Sequence, residues 1–311
     1  MALKIDDELV KTAMTEVMMQ NINDFNTMTG GAISLSTEYF MGDAIDTSMI
    51  AEIANLITDR DPTSDLAATV KTIDSVDDHN IAIYFTTGSV EFKKVDARRY
   101  GSSSDEFSRA IGTQIGVGFL NFVINKGITA AVGAMSSEAT VIEGDGTGAI
   151  TYTLLNNGLA KFGDNSANII CFVMNGATNH ALIGDGLTNY KIDSVAGGII
   201  NSADVGTLNR PVFVTDAAGL GMTTGVAVLG LTAAGIRIIE RMAREIMSSE
   251  TQGKANLGVA IQGEGEAALD IKGYTFDGSN FPDDATLGAA ANWTRTSTDI
   301  KSTAGVIINV A

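Results

Sequence analysis

Apolar residues recur at helical spacing between Ser103 and Ser137, and this stretch predicts the longest helix of the chain. The recurring positions are Phe107, Ile111, Ile115, Phe119, Phe122 and Val123. Ser103 and Glu106 have the spacing of a capping box, in which the serine hydroxyl accepts a backbone N–H and the glutamate reaches back to the cap. Because Asp105 and Glu106 also place negative charge at the positive end of the helix dipole, the start of this helix is well specified.

Three glycines interrupt the apolar pattern of this helix: Gly112, Gly116 and Gly118. Glycine costs about 1 kcal/mol relative to alanine inside a helix, so we expect another backbone to approach closely at these positions. A shorter helix is the alternative. It would end near Lys126, with Gly127 as its cap, and Ile128 to Met135 would form a separate buried segment. The predicted core residues of the long helix are Phe107, Ile111, Ile115 and Phe119.

Upstream of the long helix, the pattern predicts a helical arm, a short helix and a β-hairpin. Apolar residues at helical spacing between positions 5 and 28 form the arm, which ends at two glycines. A short helix is predicted from Met49 to Ile57, and Pro62 breaks the chain after it. Apolar residues alternate with polar ones from Val70 to Val95, with an interruption at 86–89 around Gly88, and this predicts a protruding hairpin.

Downstream, short helical and strand patterns interleave, which predicts an α+β protein. A short helix is expected over 152–162 and a buried strand over 169–174. Further strands are predicted at 212–215, 226–231, 236–239, 257–261 and 269–274. The segment Gly263-Glu264-Gly265-Glu266 lies between the last two patterns and is interpreted as a hairpin turn.

Composition limits the classes of function. The 311 residues are 45% hydrophobic and only 18% charged, which predicts a folded protein, with two subdomains or long extensions, that can bury surface against copies of itself. The net charge of −17 argues against a duplex-binding face, which needs clustered lysine and arginine. The single cysteine, Cys171, is predicted to be a small buried hydrophobe. No signal peptide is recognised and no run is expected to span a membrane, so we expect synthesis in the cytosol.

Candidate chemistry is sparse. His79 and His180 are about a hundred residues apart, and neither has the spacing of a metal site or a catalytic triad. The glycine-rich segments lack the Lys-Ser/Thr of a phosphate loop, and Glu143 and Asp145 lack the ligand loop of a calcium site. We therefore predict no enzyme activity, no cofactor and no metal. An arm and a hairpin that bury little within one subunit instead indicate assembly.

Several strings, in order along the chain, resemble the major capsid proteins of tailed double-stranded DNA phages. The C-terminal string is the most specific: Asn292-Trp293, a spacer, and then Asp299 to Ile308. The other strings are Phe25-Asn26 with Thr29-Gly30-Gly31-Ala32, Ala160-Lys161-Phe162-Gly163-Asp164 leading to Val173-Met174, and Arg210 to Asp216. Each string alone is weak, but together they cover the whole length.

The resemblance implies the Hong Kong phage head-protein fold. Residues 1–35 would be the N-terminal arm, and 36–100 the short helix and extended β-hairpin loop. Residues 101–164 would be the peripheral domain with its long spine helix, 165–285 the axial domain, and 286–311 a C-terminal return to the peripheral domain.

The resemblance also implies a function. Copies of the chain would form hexamers and pentamers of an icosahedral head around packaged double-stranded DNA, without sequence-specific binding and with an acidic lining that repels the genome. The expected location is the virion capsid, assembled in the host cytoplasm without a membrane. A portal and decoration proteins are the implied partners. The alternative is an encapsulin-like nanocompartment shell or another self-assembling structural protein, such as a surface-layer protein.

Two features of relatives are not carried over. Some relatives begin with a long cleaved scaffolding segment, but the arm starts almost at Met1 here, so we expect a separate scaffolding protein. A few relatives crosslink lysine to asparagine, and because the lysines of the predicted loop have no defined asparagine and glutamate partners we expect no crosslinks. The predicted assembly-interface residues are Lys93, Lys94, Arg98, Arg99, Phe25 and Trp293.

Overall fold

A computed structural model provides the fold of the chain. It describes residues 5–37, 46–50, 62–63, 75–95, 103–189, 194–195, 198–199, 208, 210–279 and 281–311. Within these ranges a seven-stranded and a five-stranded sheet are joined by one long helix, which confirms the predicted α+β class.

The helices are α1 (Asp7–Met28), α2 (Ser104–Ser136), α3 (Tyr152–Ala160), α4 (Gly176–Asn189) and α5 (Asp284–Gly288). The first nine strands are β1 (Ile33–Thr37), β2 (Asp46–Ile50), β3 (Ser75–His79), β4 (Ile81–Thr86), β5 (Val90–Lys93), β6 (Ile142–Glu143), β7 (Ile169–Met174), β8 (Ser194–Val195) and β9 (Gly198–Ile199). The others are β10 (Val212–Val214), β11 (Val226–Thr232), β12 (Ile236–Thr251), β13 (Gly258–Ile271), β14 (Tyr274–Phe276), β15 (Trp293–Arg295) and β16 (Gly305–Val310).

The long helix α2 starts at the predicted capping box and runs for 33 residues. The Ser103 hydroxyl accepts from the Glu106 N–H at 3.2 Å, and the Ser103 N–H donates to the Glu106 carboxylate at 3.3 Å. The shorter alternative is wrong, because the helix continues through Gly127. That glycine lets α2 lie directly on β12, since a Cβ there would be 3.0 Å from the Ile238 side chain. Of the predicted core residues, Ile111 and Phe119 are buried, and Phe107 and Ile115 pack partly buried against the core.

Helix α1 crosses α2 at two of the three glycines. A Cβ at Gly112 would lie 2.4 Å from the Val10 carbonyl oxygen, and one at Gly116 would lie 3.1 Å from the Met14 carbonyl oxygen. The expected close approach of a second backbone is therefore confirmed at these positions. It is wrong at Gly118, where a Cβ would meet nothing within 4 Å. Because Val10 and Met14 are buried in the core, α1 is not an arm that buries little within its own subunit.

The predicted hairpin between β4 and β5 is wrong. Both strands pair antiparallel with β13, β4 at Glu264–Leu269 and β5 at Gly258–Ile261, so they lie end to end along one neighbour. The connecting residues stay on that neighbour because the Thr87 N–H donates to the Gly263 carbonyl at 2.8 Å. In the part of this region that the structure describes, β2 and β3 form an antiparallel pair. Residues 49 and 50 of the predicted short helix belong to β2, and its remaining residues lie outside the described ranges.

Strands β12 and β13 form a long antiparallel ribbon, called the ribbon below. The turn predicted at Gly263–Glu266 is wrong, because this segment runs inside β13. Packing, rather than a turn, requires a small residue at Gly265: a Cβ there would lie 2.9 Å from the ring of Phe85. The seven-stranded sheet has the order β1-β12-β13-β14-β15, with β4 and β5 also on β13.

The five-stranded sheet has the order β10-β7-β11-β16-β6. Its C-terminal strand β16 pairs antiparallel with β11 and parallel with β6, so it joins segments that the sequence assigned to the axial and the peripheral domain. The domain limits therefore stay a prediction. Cys171 lies fully buried in β7, and this burial raises the pKa of its thiol to about 11, as expected of an inert hydrophobic position.

Helix α2 is long and apolar enough to cross a membrane, with a mean hydropathy of 1.5 over an 18-residue window. The expectation that no run reaches that length is wrong. However, 61% of that window is buried inside the protein, against α1 and the seven-stranded sheet. The composition of α2 is thus that of a core helix covered on two sides.

Candidate assembly surfaces

Two of the predicted interface residues hold the subunit itself together. The ring of Phe25 in α1 packs edge-on against Phe213 of β10, with centroids 5.0 Å apart. Trp293 is only 4% exposed; its indole N–H donates to the Leu287 carbonyl at 2.8 Å, and its ring lies 5.1 Å from that of Phe276. The interface role predicted for Trp293 is corrected, because its side chain is enclosed by its own chain.

Two of the predicted basic residues, Lys93 and Lys94, lie at the end of the ribbon where β12 turns into β13. The Lys94 N–H donates to the Leu257 carbonyl at 3.0 Å, and its ammonium lies 2.6 Å from the Glu250 carboxylate. Lys93 is exposed, whereas Arg98 and Arg99 lie outside the described residues. A second ion pair joins Glu91 of β5 to Lys254, and this hydrogen bond holds the pKa of the Glu91 carboxyl below its usual value. Ion pairs thus tie the end of β12 and the β12–β13 turn to β5.

Exposed apolar side chains also belong to these segments of the chain. They are Val90, Val95, Met247 and Leu257, and we call this end of the ribbon, residues 90–95 and 247–258, the ribbon tip. Met247 is 72% exposed and Leu257 58% exposed, although single exposed apolar residues are ordinary and only their grouping suggests a contact surface. Sequence reasoning missed Met247, because the alternation of a strand does not reveal which of its faces the same chain covers.

A second surface, which unlike the ribbon tip carries no charged residues, follows the outer side of α2. Its exposed residues are Gln114, Val117, Gly118, Asn121, Phe122 and Asn125. Phe122 belongs to the apolar pattern of the helix, yet it lies at the boundary of the buried face and is 37% exposed. The stripe leads into a cleft of about 500 Å³ beside α5, where the Lys126 ammonium lies 2.7 Å from the Asp284 carboxylate. The charge in the cleft is thus already paired within the subunit.

Reactive groups do not converge in the parts of the chain that the structure describes. Among those residues, no group of three or more histidine, cysteine, aspartate or glutamate side chains could hold a metal ion. His79 and His180 are both exposed and belong to different parts of the fold. Within the described residues, the features that group together are therefore the exposed residues of the ribbon tip and of the outer side of α2.

The exposed lysine at the ribbon tip allows an interface role to be separated from a structural one. Replacing Lys93 by glutamate is expected to change the free energy of unfolding by less than about 0.5 kcal/mol, because exposed charges contribute little to stability. If the tip contacts acidic surfaces of neighbouring copies, the same variant lowers the yield of assembled particles severalfold on a sucrose gradient. Lys254→Gln, which removes an ion pair at the same tip, is the matched control; unchanged assembly of Lys93→Glu would remove Lys93 from the interface.

Comparison with known proteins gives both a family and a fold. A family model described as major capsid protein 13-like, or Gp13-like, matches residues 2–307. No protein in the curated set matches the chain. A solved structure from Microbacterium phage Oxtober96 aligns with a TM-score of 0.55 and 12% identity, covering 89% of each chain. The capsid of Ralstonia phage GP4 aligns with a TM-score of 0.53 and 10% identity, covering 78% of this chain and 83% of the other.

A further solved structure, from Mycobacterium phage Adephagia, has a TM-score of 0.50 and 9% identity and covers 91% of this chain and 90% of that one. At such identities the likeness concerns the fold, and it confirms the tailed-phage capsid fold predicted from the sequence strings. The family match spans nearly the entire chain. The chain therefore belongs to the Gp13-like major capsid protein family, and it is a major capsid protein of a tailed-phage head.

Proposed function

We propose that copies of this chain form the hexamers and pentamers of an icosahedral head around packaged double-stranded DNA. The observation that carries the proposal is the family match over residues 2–307. The surfaces support it, because the ribbon tip and the stripe on α2 present apolar and ion-paired areas that a neighbouring copy can cover. No catalytic step is required of the chain, and we assign it no enzyme activity.

The charge of the chain supports an enclosure that does not bind its contents. With a net charge of −17, a shell of many copies carries a negative field, and this repels the phosphates of the packaged genome. DNA then stays free to enter and leave. Raising the salt concentration should therefore not release DNA from intact heads. A protein that binds DNA through its phosphates would, in contrast, lose DNA at high salt.

Further partners are those that the resemblance to tailed-phage capsid proteins implies. A shell built of one protein has no opening for DNA, so a portal at one vertex belongs to the proposal. A separate scaffolding protein sets the size of the shell, and decoration proteins bind its outer surface after completion. Assembly takes place in the host cytoplasm, and the finished shell is part of the virion.

Electron microscopy of the expressed chain after gradient fractionation tests the proposal. Closed icosahedral shells, or rings of five and six copies, are the expected products, with mass measured by light scattering. Uniform, correctly sized shells from this chain alone would contradict the separate scaffolding protein. A chain that stays monomeric at high concentration and in the presence of phage lysate would contradict assembly itself. Particles from infected cells that enclose an enzyme instead of DNA would favour the nanocompartment alternative.

A further inference from the structure

An exposed aromatic pair lies on the face of the seven-stranded sheet that points away from α2. Tyr84 of β4 is 39% exposed, Phe281 between β14 and α5 is 65% exposed, and their ring centroids are 5.1 Å apart. The next residue of β4, Phe85, instead packs against Phe119 of α2, with centroids 5.0 Å apart. Because successive side chains of a strand point to opposite faces, Tyr84 lies on the outer face of the sheet.

The backbone of Phe281 is strained. Its φ is +61°, in the left-handed region that bulky residues rarely adopt because of steric crowding at Cβ. The ring gains little from burial in return, because it lies at the surface, whereas the next residue, Pro282, is buried. Strained conformations of this kind are concentrated at functional sites, so the position of the ring suggests a contact with another molecule.

Arg241 of β12 also contacts this pair. Its guanidinium carbon lies 5.9 Å from the centre of the Tyr84 ring, and its Nη1 donates to the Tyr84 hydroxyl at 3.4 Å. The register between β12 and β13 shifts on either side of Met242, which marks β-bulges in β12, and Arg241 lies at the first of them. We call Tyr84, Phe281 and Arg241 the aromatic patch. Aromatic residues and arginine are enriched in protein–protein interfaces, so this composition is typical of a contact surface.

Carboxylates lie beside the aromatic patch. Glu266 is directly opposite Tyr84 in the register of β13 with β4, and Glu264 is two residues along β13, so these side chains share one face of the sheet. Asp283 is exposed and follows Phe281 by two residues. None of the three carboxylates forms an ion pair with a residue that the structure describes. The surface thus combines apolar rings with unpaired negative charge.

The ribbon tip has the complementary composition. Its exposed apolar side chains are Val90, Val95, Met247 and Leu257. Residues 90–95 and 247–258 contain three lysines and two glutamates, a net charge of +1 in a chain whose net charge is −17. Ion pairs join two of these lysines to the two glutamates. The third lysine, Lys93, is exposed and forms no ion pair with a described residue, so it is available to a carboxylate of another molecule.

The ribbon tip and the aromatic patch of one copy cannot meet each other. Both are attached to β13, where Lys93 pairs with Gly258 and Tyr84 with Glu266. Eight residues of an extended strand separate these positions by about 26 Å, because each residue advances about 3.3 Å. A contact between the two surfaces therefore joins two copies of the chain.

We propose that the aromatic patch of one copy binds the ribbon tip of the next copy. Lys93 faces Glu264 and Glu266 of the neighbour, and the apolar side chains of the tip cover the rings of Tyr84 and Phe281. This inference rests on the proposed function and names the two surfaces by which neighbouring copies meet. Because the contact joins two different surfaces of the same chain, it is head-to-tail, and repeated contacts of this kind close into rings.

Crosslinking of assembled particles tests which surfaces meet. Lys93→Cys combined with Glu264→Cys, treated with a short bis-maleimide, is expected to give a ladder of covalent oligomers up to six copies on a denaturing gel. The natural Cys171 is fully buried and does not compete for the reagent. A link within one copy is too long for it, since six residues of β13, about 20 Å, separate Glu264 from the partner residue of Lys93.

Single variants and a displaced cysteine are the controls for the ladder. Lys93→Cys alone and Glu264→Cys alone should give no covalent dimers, because a head-to-tail contact does not bring equal positions together. Lys93→Cys combined with Glu16→Cys, an exposed position on α1, should give no ladder either. Dimers of Lys93→Cys alone, or the same ladder with Glu16→Cys, would overturn the assignment.

Charge reversal tests the pairing without a crosslinker. Glu264→Lys is expected to restore the particle yield that Lys93→Glu loses, because every copy then carries both reversed charges and the contact forms again with opposite polarity. Glu16→Lys changes the net charge by the same amount and should not restore it. Equal rescue by both variants would mean that only the net charge of the chain matters.

Removal of the strained ring separates a contact role from a structural one. Phe281→Gly is expected to lower the yield of particles at least tenfold on a sucrose gradient. The thermal unfolding midpoint of the unassembled chain should be kept, because glycine adopts a positive φ without strain. Ile183→Ala, which truncates an apolar residue of α4 with 48% exposure, should leave the yield unchanged. Normal assembly of Phe281→Gly, or a lower unfolding midpoint, would overturn the role of the ring.

Failure of the contact and failure of the proposed function give different results. Shells of the unaltered chain, together with no ladder from Lys93→Cys with Glu264→Cys, would overturn the contact and leave the function intact. A ladder from concentrated chains that never close into shells would support the contact and overturn the function.

Discussion

Replacing Gly112 by alanine should destabilise the chain by about 2 kcal/mol, whereas the same change at Gly118 should stabilise it by up to about 1 kcal/mol. The two glycines lie on the same helix, six residues apart, and differ in what faces them. A Cβ at Gly112 would lie 2.4 Å from the Val10 carbonyl oxygen and 3.1 Å from the Ala13 Cβ. Because the first of these atoms is backbone, α1 must move away from α2 as a unit.

The consequence reaches beyond one contact. Helix α1 carries Val10, Met14 and Met18 into the core, and its displacement loosens all three from their neighbours. At Gly118 a Cβ would meet nothing within 4 Å, so alanine there only removes the conformational freedom that glycine adds to the unfolded chain. The opposite signs therefore follow from geometry, since helix propensity alone would predict a gain at both positions.

Urea unfolding of the unassembled chain measures both effects, with the fluorescence of the single tryptophan as the signal. Gly116→Ala should give an intermediate loss, because its nearest atom, the Met14 carbonyl oxygen, would be 3.1 Å away. A stabilising effect of alanine at Gly112 would mean that α1 does not cross α2 there in solution. Equal losses of unfolding free energy for alanine at positions 112 and 118 would instead indicate that another part of the protein covers the outer side of α2.

The parts of the fold that sequence reasoning predicted correctly depend on neighbours in the chain. Ser103 and Glu106, three residues apart, specify the start of α2. Two of the glycines within α2 correctly predicted that another backbone approaches this helix closely. Strand pairing was harder to predict, because β4 pairs with residues about 180 positions downstream. Local alternation around Gly88 suggests a hairpin equally well. The partner strand decides between these outcomes, and no local pattern identifies it.

The candidate surfaces, too, could be predicted only as far as they depend on residues close together in the sequence. The sequence singled out basic residues of the ribbon tip, and the structure places Lys93 and Lys94 there. It could not distinguish exposed Met247 from buried Ile246, its neighbour in the same strand, because the answer depends on which face the helices cover. The bulges of β12 have no signature either, since they arise from a register that two strands fix jointly.

Trp293 gives the second large effect: its replacement by alanine should cost about 4 kcal/mol, within the range measured for buried aromatic residues. The indole fills a space between Phe276 and the segment of α5, and its N–H satisfies the Leu287 carbonyl at 2.8 Å. Gly133 of α2 makes room for this contact, because a Cβ there would lie 2.2 Å from that carbonyl oxygen and 2.9 Å from the indole nitrogen. Trp293 thus joins the C-terminal segment to the long helix.

Two further variants separate the causes. Trp293→Phe keeps an aromatic ring but leaves the Leu287 carbonyl without its donor, and about 2 kcal/mol should be lost. Gly133→Ala leaves the indole intact and forces it and the Leu287 carbonyl away from α2, so it should destabilise the chain as well. Circular dichroism during thermal unfolding measures all three variants without relying on tryptophan fluorescence.

A core residue and an interface residue differ in the step at which their replacement acts: folding of the subunit or assembly of the particle. A core role predicts that Trp293→Ala subunits are already unstable, and sensitive to limited proteolysis, before any particle forms. An interface role predicts a subunit of normal stability that fails only in assembly, as expected of Lys93→Glu if the ribbon tip contacts a neighbour. Normal thermal stability of Trp293→Ala would contradict its 4% exposure and return this residue to the interface. Early loss of the subunit would instead mean that the folded state of the chain depends on the contact between the C-terminal segment and α2.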